Sequence, residues 1–203
     1  MGFYGDCILP HIIDFAMSTK AIMDERRRCL EPVGGVVLEI GFGSGLNLPF
    51  YPAAVTQVIG VDPSSTSARL ARKRIEAAPF RVELIGLSAE TLPMEDRSVD
   101  TVVSTFTLCT IPDPASALRE MRRVLKPGGR FHFVEHGRAD DPGVARWQQR
   151  LNGIQQALFG GCNLNRPIST LVERAGFEIE RLENDYLKAA PKFGGFLYRG
   201  VAR

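Results

Sequence analysis

Hydrophobic and polar positions along this chain alternate between two periods. Val36, Val37, Leu38 and Ile40, and then Val58, Ile59 and Val61, are short β-branched and aliphatic runs, and they predict two buried strands. Val82 to Ile85, Val99 to Ser104 and Arg130 to Glu135 predict a third, fourth and fifth. A helical pattern follows Pro63 to about Ala77, where Pro79 stops it. Asp113-Pro114 caps another helix, with Ala117, Leu118, Met121, Val124 and Leu125 at three- and four-residue spacing, and Pro127-Gly128-Gly129 ends it. Helical patterns over about 143–159 and on to Ala175 then precede two closing strands, near Phe177 to Leu182 and Phe196 to Ala202. The Gly194-Gly195 pair suits an antiparallel last connection. Such alternation predicts an α/β fold, a doubly wound, mostly parallel sheet with helices on both faces.

The N-terminal pattern is different. Ile8, Leu9, Ile12, Ile13, Phe15, Ala16 and Met17 are apolar, but Pro10, His11 and Asp14 interrupt them, and the run is far shorter than the ~20 residues that span a bilayer. An amphipathic helix over roughly 11–30 is expected instead, making residues 1–30 a lid or cap that packs on the domain, covers a ligand or touches a membrane surface. Met1-Gly2 is a poor acylation signal, because Asp6 stands where serine or threonine is required.

Composition narrows the class. The 203 residues suit one full α/β domain, and a formal charge of +2 does not argue for nucleic acid. Arg26-Arg27-Arg28 reads as a solvated helix end. Cys7, Cys29, Cys109 and Cys162 form no C-x-x-C pair and have no histidine at zinc-ligand spacing. Neither a metal nor a disulfide framework is expected, and a reducing cytoplasm fits best.

The first two strands carry the most telling chemistry. Glu39-Ile40-Gly41-Phe42-Gly43-Ser44-Gly45 joins a strand to a glycine-rich turn, and Asp62 ends the next strand, seventeen residues after Gly45. Glycines permit a tight turn and close backbone approach, and an acid at that strand end accepts hydrogen bonds from ribose hydroxyls. The dinucleotide pattern G-x-G-x-x-G fails, because Leu46 occupies its sixth position. Glu39 aims at the same loop and would repel a pyrophosphate but attract a cationic ligand. S-adenosylmethionine, with a sulfonium and an ammonium on an adenosine, is such a ligand.

Carrying these motifs, residues 36–136 resemble the core of a class I S-adenosylmethionine-dependent methyltransferase, in the type 11 branch related to quinone-biosynthesis C-methyltransferases. Leu38-Glu39-Ile40-Gly41-x-Gly43-Ser44-Gly45 is similar to the family's first motif and Gly60-Val61-Asp62-Pro63 to its second. Ala89-Glu90-Thr91-Leu92-Pro93 resembles the adenine-side segment, with Ser88 where the family usually has an acid. Leu118-Arg119-Glu120-Met121 through Pro127-Gly128-Gly129 resembles the helix after the fourth strand. Asn47, Leu108-Cys109, Val134-Glu135-His136, Trp147-x-Gln149 and Phe159-x-Gly161-Cys162-Asn163-Leu164-x-Arg166 look like the animal thiol methyltransferases of the methyltransferase-like group, from which this chain is expected to differ in lacking their N-terminal anchor.

The resemblance implies a Rossmann-like seven-stranded sheet in the order 3-2-1-4-5-7-6 with strand 7 antiparallel, in a single domain over 1–203. Residues 36–136 are then the cofactor-binding core, and 137–203 supply substrate-side helices and closing strands. The expected cofactor contacts are Glu39 at the amino end, Gly41, Phe42, Gly43, Gly45 and Asn47 on the methionine-side loop, Asp62 on the ribose, and Pro63, Ala89 and Glu90 around the adenine. Thr105 is expected near the sulfonium. Glu135 and His136 end the fifth strand where the methyl should sit, and His136 is a candidate proton acceptor. Cys162, Asn163 and Arg166 follow a glycine turn and are candidates to shape the acceptor pocket. The expected activity is methylation of a small molecule, with a thiol as first choice. A phospholipid amine head group and a quinone-precursor carbon are alternatives, and a cofactor-binding regulatory module is the alternative of another class.

Overall fold

The computed structural model describes residues 4–188 and 190–203. The acylation reading of Met1-Gly2 therefore lies outside the described residues. Helices α1 (Leu9–Met17) and α2 (Lys20–Leu30) precede β1 (Gly35–Ile40), β2 (Val55–Val61), α3 (Ser65–Glu76), β3 (Arg81–Ile85) and β4 (Val99–Thr105). Then come α4 (Pro114–Val124), β5 (Leu125–His136), α5 (Pro142–Leu158), α6 (Ile168–Arg174), β6 (Ile179–Tyr186), the short α7 (Lys192–Gly195) and β7 (Phe196–Ala202). The seven strands form one sheet in the order β3-β2-β1-β4-β5-β7-β6. β7 is antiparallel to both β5 and β6.

The central strands are apolar on both faces because helices cover both. In β1, Val37 packs into the cluster with Val58, Ala71 and Val103, while its neighbour Leu38 packs into the opposite one with Val102, Leu118 and Phe133. Two-sided burial is what a parallel sheet requires, and it explains why these strands read as continuous hydrophobic runs. α4 places Ala117, Leu118, Met121 and Val124 against that second cluster, with Asp113 accepting hydrogen bonds from the Ala115 and Ser116 N–H groups at its start. The edge strands are charged instead: Arg81 and Glu83 on β3, and Glu180, Arg181 and Glu183 on β6, discourage pairing with another chain.

Three expectations about elements change. The helix expected to run through Leu125 and end at Pro127-Gly128-Gly129 stops at Val124, because Leu125 is already extended and the triplet lies inside β5. The N-terminal helix expected over 11–30 is two helices, because Ser18 turns back onto Phe15, donating from both its N–H (3.3 Å) and its hydroxyl (2.8 Å), and Thr19 is extended (φ −63°, ψ 147°). A serine hydroxyl bonding the preceding carbonyl competes with the helix ladder. The glycine pair expected as a plain turn before the last strand lies within α7.

The C-terminal ends of β1, β2, β4 and β5 share one edge of the sheet, as the pairings Ile40 with Val61 and Ser104, and Thr105 with Val134, require. Strand order reverses between β1 and β4, which opens a crevice above that edge.

Candidate functional site

The glycine loop leaves β1 through three left-handed positions, Gly41 (φ 71°), Gly43 (φ 54°) and Gly45 (φ 75°). A side chain at Gly41 would also collide with Thr107, whereas one at Gly43 would meet only the Gly41 carbonyl, at 3.8 Å. The loop therefore presents bare backbone at Gly43. The Phe42 ring is buried against Gly60 of β2, so Phe42 offers a ligand only its main chain. Asp62 stands across the loop, accepting from the Gly43 N–H and the Ser64 N–H, both at 2.8 Å. Burial pushes its carboxyl upward and the two N–H donors pull it back down. Pro63 is exposed beside it. Ala89 is buried in the main core, and half-buried Glu90 accepts from the Asp113 N–H at 3.2 Å, which ties this segment to the start of α4.

Beneath the loop lies a buried polar cluster. Glu39 accepts from Asn47 Nδ2 (2.8 Å) and from the Tyr51 hydroxyl (2.7 Å). Burial raises the Glu39 pKa to about 7 against the opposing pull of Tyr51, Arg26 and Asn47. Asn47 does not cap the short helical turn at Leu48–Phe50; it spans Glu39 and Thr105, donating to the latter at 3.0 Å.

Arg26 completes the cluster, and the sequence reading of it as solvated is overturned. Only 7% exposed, it donates through Nη1 to Asn47 Oδ1 (3.0 Å) and Thr105 Oγ1 (2.5 Å) and stacks over the Phe106 ring at 5.2 Å. Arg27 and Arg28 are exposed as expected. The missed signal is helical spacing: Ile22, Arg26, Cys29 and Leu30 form the buried stripe of α2, so this one arginine faces inward. Phe106, directly after β4, holds φ at 57°, a strained conformation for an aromatic residue that turns the chain sharply at the cluster.

Toward β5, Glu135 is fully buried, and its Oε1 accepts from the Ser104 hydroxyl (2.7 Å) and the Thr107 N–H (3.0 Å). It braces the turn after β4 rather than facing an open acceptor surface. Burial lifts its pKa to about 7, opposed mainly by the Thr107 and Ser104 bonds. His136 Nε2 lies 3.0 Å from Cys162 Sγ, and burial lowers the imidazole to about 4, so the ring is neutral near pH 7. Cys162 Sγ is 3.5 Å from Cys109 Sγ. Asn163 and Arg166, expected to line an acceptor pocket, work as clamps between loops. Asn163 donates to the Cys109 carbonyl from both its backbone N–H and Nδ2 (2.9 Å each), and Arg166 donates to the Leu108 carbonyl and to that of Ile111 at 2.7 Å.

The site suits the methionine end of S-adenosylmethionine. Among the described residues, Arg26 Nε, Glu135 Oε2 and His136 Nδ1 are buried side-chain atoms without a hydrogen-bond partner, and the first two are a cation and an acid left to a ligand that carries a carboxylate and positive charge. The open backbone at Gly43 beside Asp62 suits the ribose.

Comparisons with known proteins agree. A family described as "Methyltransferase domain" matches residues 38–133. The chain is 36% identical over 152 residues to the thiol S-methyltransferase TMT1A of Homo sapiens, which covers 73% of this chain and 62% of that protein. The chain thus spans about three fifths of that relative's length. It is 34% identical over 179 residues to the phosphatidylethanolamine N-methyltransferase of Cereibacter sphaeroides, covering 86% of this chain and 81% of that one. The solved structure of a SAM-dependent methyltransferase from Aquifex aeolicus shares the fold, with a TM-score of 0.65 at 18% identity over 95% of this chain and 97% of that one. The chain belongs to the class I S-adenosylmethionine-dependent methyltransferase family.

Proposed function

We propose that this enzyme methylates a small-molecule thiol. The carrying observation is the state of Glu135 and His136: Glu135 Oε1 is taken by Ser104 and Thr107, and burial lowers the His136 imidazole, whose Nε2 faces Cys162, to about 4, so the β5 end offers only weak bases. A thiol of pKa about 8.5 is already a few per cent ionised near neutral pH, whereas an amine near ~10.4 depends more on a positioned base. The likeness to TMT1A supports the same acceptor class.

In this reading Glu39, Asn47, Thr105 and the backbone of Gly41, Phe42, Gly43 and Gly45 hold the methionine end, and Asp62 holds the ribose. Pro63, Ala89 and Glu90 flank the adenine. S-adenosylmethionine supplies an electrophilic methyl group on a sulfonium. The residues of the chain orient the acceptor and exclude water, and orientation alone is worth several powers of ten in rate. Glu135 is a positioning residue that holds the Thr107 turn. Cys162 stands on the acceptor side, with Asn163 and Arg166 fixing its loop.

Helices α1 and α2 act as the lid. Asp14 of α1 reaches the glycine loop, accepting from the Ser44 hydroxyl at 2.5 Å and pairing with Arg74 at 3.1 Å. Exposed Ile12, Ile13 and Phe15 on the outer side of α1 favour a peripheral membrane contact through the same helix. No helix among the described residues is long and apolar enough to cross a membrane. Four free cysteines favour a reducing, cytoplasmic setting.

Methylation of a phospholipid amine head group is the second reading, favoured by the near full-length match to the Cereibacter sphaeroides enzyme. A screen of thiols, amines and phenols with radiolabelled methyl donor separates the two. Label in a small thiol supports the proposal, and label confined to phosphatidylethanolamine overturns it.

A further inference from the structure

We infer that Cys109, His136 and Cys162 form a three-ligand site for a thiophilic divalent cation of the zinc type, with a fourth position open to the acceptor. The inference deepens the thiol reading and rests on it only for the identity of that fourth ligand.

The three donor atoms come from three elements: the turn after β4, the end of β5 and the loop after α5. The Sγ atoms of Cys109 and Cys162 and a ring nitrogen of His136 all lie within 4.8 Å of one another. Two of the separations are 3.5 Å between the sulfurs and 3.0 Å from Cys162 Sγ to His136 Nε2. A tetrahedral zinc with bonds of about 2.3 Å to sulfur and about 2.0 Å to nitrogen has ligand-to-ligand edges of roughly 3.5 to 3.8 Å. The two closest edges would lengthen by about 0.3 and 0.5 Å to admit the ion, and the third, within 4.8 Å, would close onto it. Two sulfurs and an imidazole also select a soft or borderline cation over magnesium or calcium, which take oxygen ligands.

The loops that carry the two cysteines are also held in advance of any ion, while His136 Nδ1 is buried without a partner. Asn163 grips the Cys109 carbonyl twice, Arg166 grips the carbonyls of Leu108 and Ile111, and Glu135 holds the Thr107 N–H two residues before Cys109. Such bracing fixes ligand directions, which is what metal sites need from their surroundings. Sequence spacing concealed the site because the ligands are 26 and 53 residues apart across its two closest pairs.

Three protein ligands with a vacant fourth position make the catalytic pattern of zinc site, as opposed to the closed structural one. A thiol acceptor entering that position binds as thiolate and releases its proton to solvent. The acceptor sulfur then forms its bond to the methyl carbon with its own lone pair, while the pair of the breaking carbon–sulfur bond stays on the departing sulfur. The methylated product is a neutral thioether, a poorer ligand than a thiolate, so it leaves and the ion is unchanged.

The test is anaerobic titration of the full chain with Co²⁺, under a non-thiol reductant, read by thiolate charge-transfer and d–d absorption. One Co²⁺ per chain is expected, with tetrahedral intensity. The charge-transfer band should fall by about half in Cys109→Ser and in Cys162→Ser, and binding should weaken at least tenfold in His136→Gln. Retained S-adenosylhomocysteine affinity in each variant shows that it is folded. Absence of stoichiometric Co²⁺ in the wild type, spectra unchanged by all three substitutions, or conversion of the pair to a disulfide only would overturn the site. Adding 2-mercaptoethanol as a model acceptor should shift the d–d bands, and no shift at saturation would overturn the open fourth position. Thiol methylation by a protein that binds no Co²⁺ would sink this inference and leave the thiol reading standing. A Co²⁺ site in a protein that labels only amines would do the reverse.

Discussion

Arg26 donates to the Oδ1 of Asn47 at 3.0 Å, so an arginine of the N-terminal helix α2 is joined to the buried polar cluster under the glycine loop. The same guanidinium reaches Thr105 at the end of β4, and its Nε is left without a partner. The N-terminal segment thereby helps to build the cofactor end of the site as well as covering it.

Arg26→Ala removes a buried cation beside Glu39 and leaves Asn47 and Thr105 short of a donor. Breaking a buried charged cluster by deleting one member costs about 3 to 5 kcal/mol. A fall of that size in unfolding free energy is expected by urea titration. Cofactor affinity, measured by calorimetry on the folded variant, should also drop. Arg26→Lys should recover only part of either loss, since an ammonium cannot reproduce the planar fork.

Glu39 has a folded pKa of about 7 against an ordinary value of 4.5. Between those values the folded chain holds more protons than the unfolded one, so this residue's contribution to stability is greatest at low pH. It is lost as pH rises from about 4.5 through about 7, and is flat above that. Glu39→Gln should flatten part of that fall in denaturation curves taken from pH 5 to 8. Glu135, with a pKa also near 7, adds to the same fall, while the His132 and His136 rings, both lowered to about 4, oppose it between about pH 4 and 6.5. Cofactor affinity should run the opposite way in the wild type, rising with pH as Glu39 ionises opposite a positively charged ligand, and Glu39→Gln should remove that rise.

Gly41→Ala combines a left-handed backbone (φ 71°) with a methyl group driven into Thr107. The backbone conformation alone costs a non-glycine residue about 1 to 2 kcal/mol, and overpacking adds about 1 to 3. A lowered melting temperature is expected, together with loss of S-adenosylhomocysteine binding. Gly43→Ala, also left-handed (φ 54°) but with its added methyl meeting almost nothing, should lose only the backbone cost of about 1 to 2 kcal/mol, a smaller drop in melting than Gly41→Ala, while binding suffers.

Asp14→Ala cuts the bonds from α1 to Ser44 and Arg74. The ion pair is partly exposed and should be worth no more than about 1 kcal/mol of stability. If α1 closes the site, turnover and cofactor release should change by more than that stability loss accounts for. Stopped-flow cofactor release together with steady-state turnover measures this, and unchanged values for both would remove the lid.

Local pattern and composition determined much of this protein. The aliphatic runs at Val36 to Ile40 and Val99 to Ser104, the amphipathic spacing of Ala117, Leu118 and Met121, the glycines of the loop and the acid Asp62 were all legible in the sequence. These features depend on neighbours a few residues away, and backbone sterics and side-chain periodicity act over that range. Tertiary structure alone decided which groups the inward-facing Arg26 meets, that Asn163 and Arg166 clamp loops, that Glu135 is enclosed, and that Cys109, His136 and Cys162 meet. Arg26 and Thr105 are 79 residues apart, and Cys109 and Cys162 are 53 apart. Contacts at such separations are set by the order in which strands join the sheet, which brings the ends of β1, β4 and β5 and the loop after α5 to one edge, and no local spacing encodes that meeting.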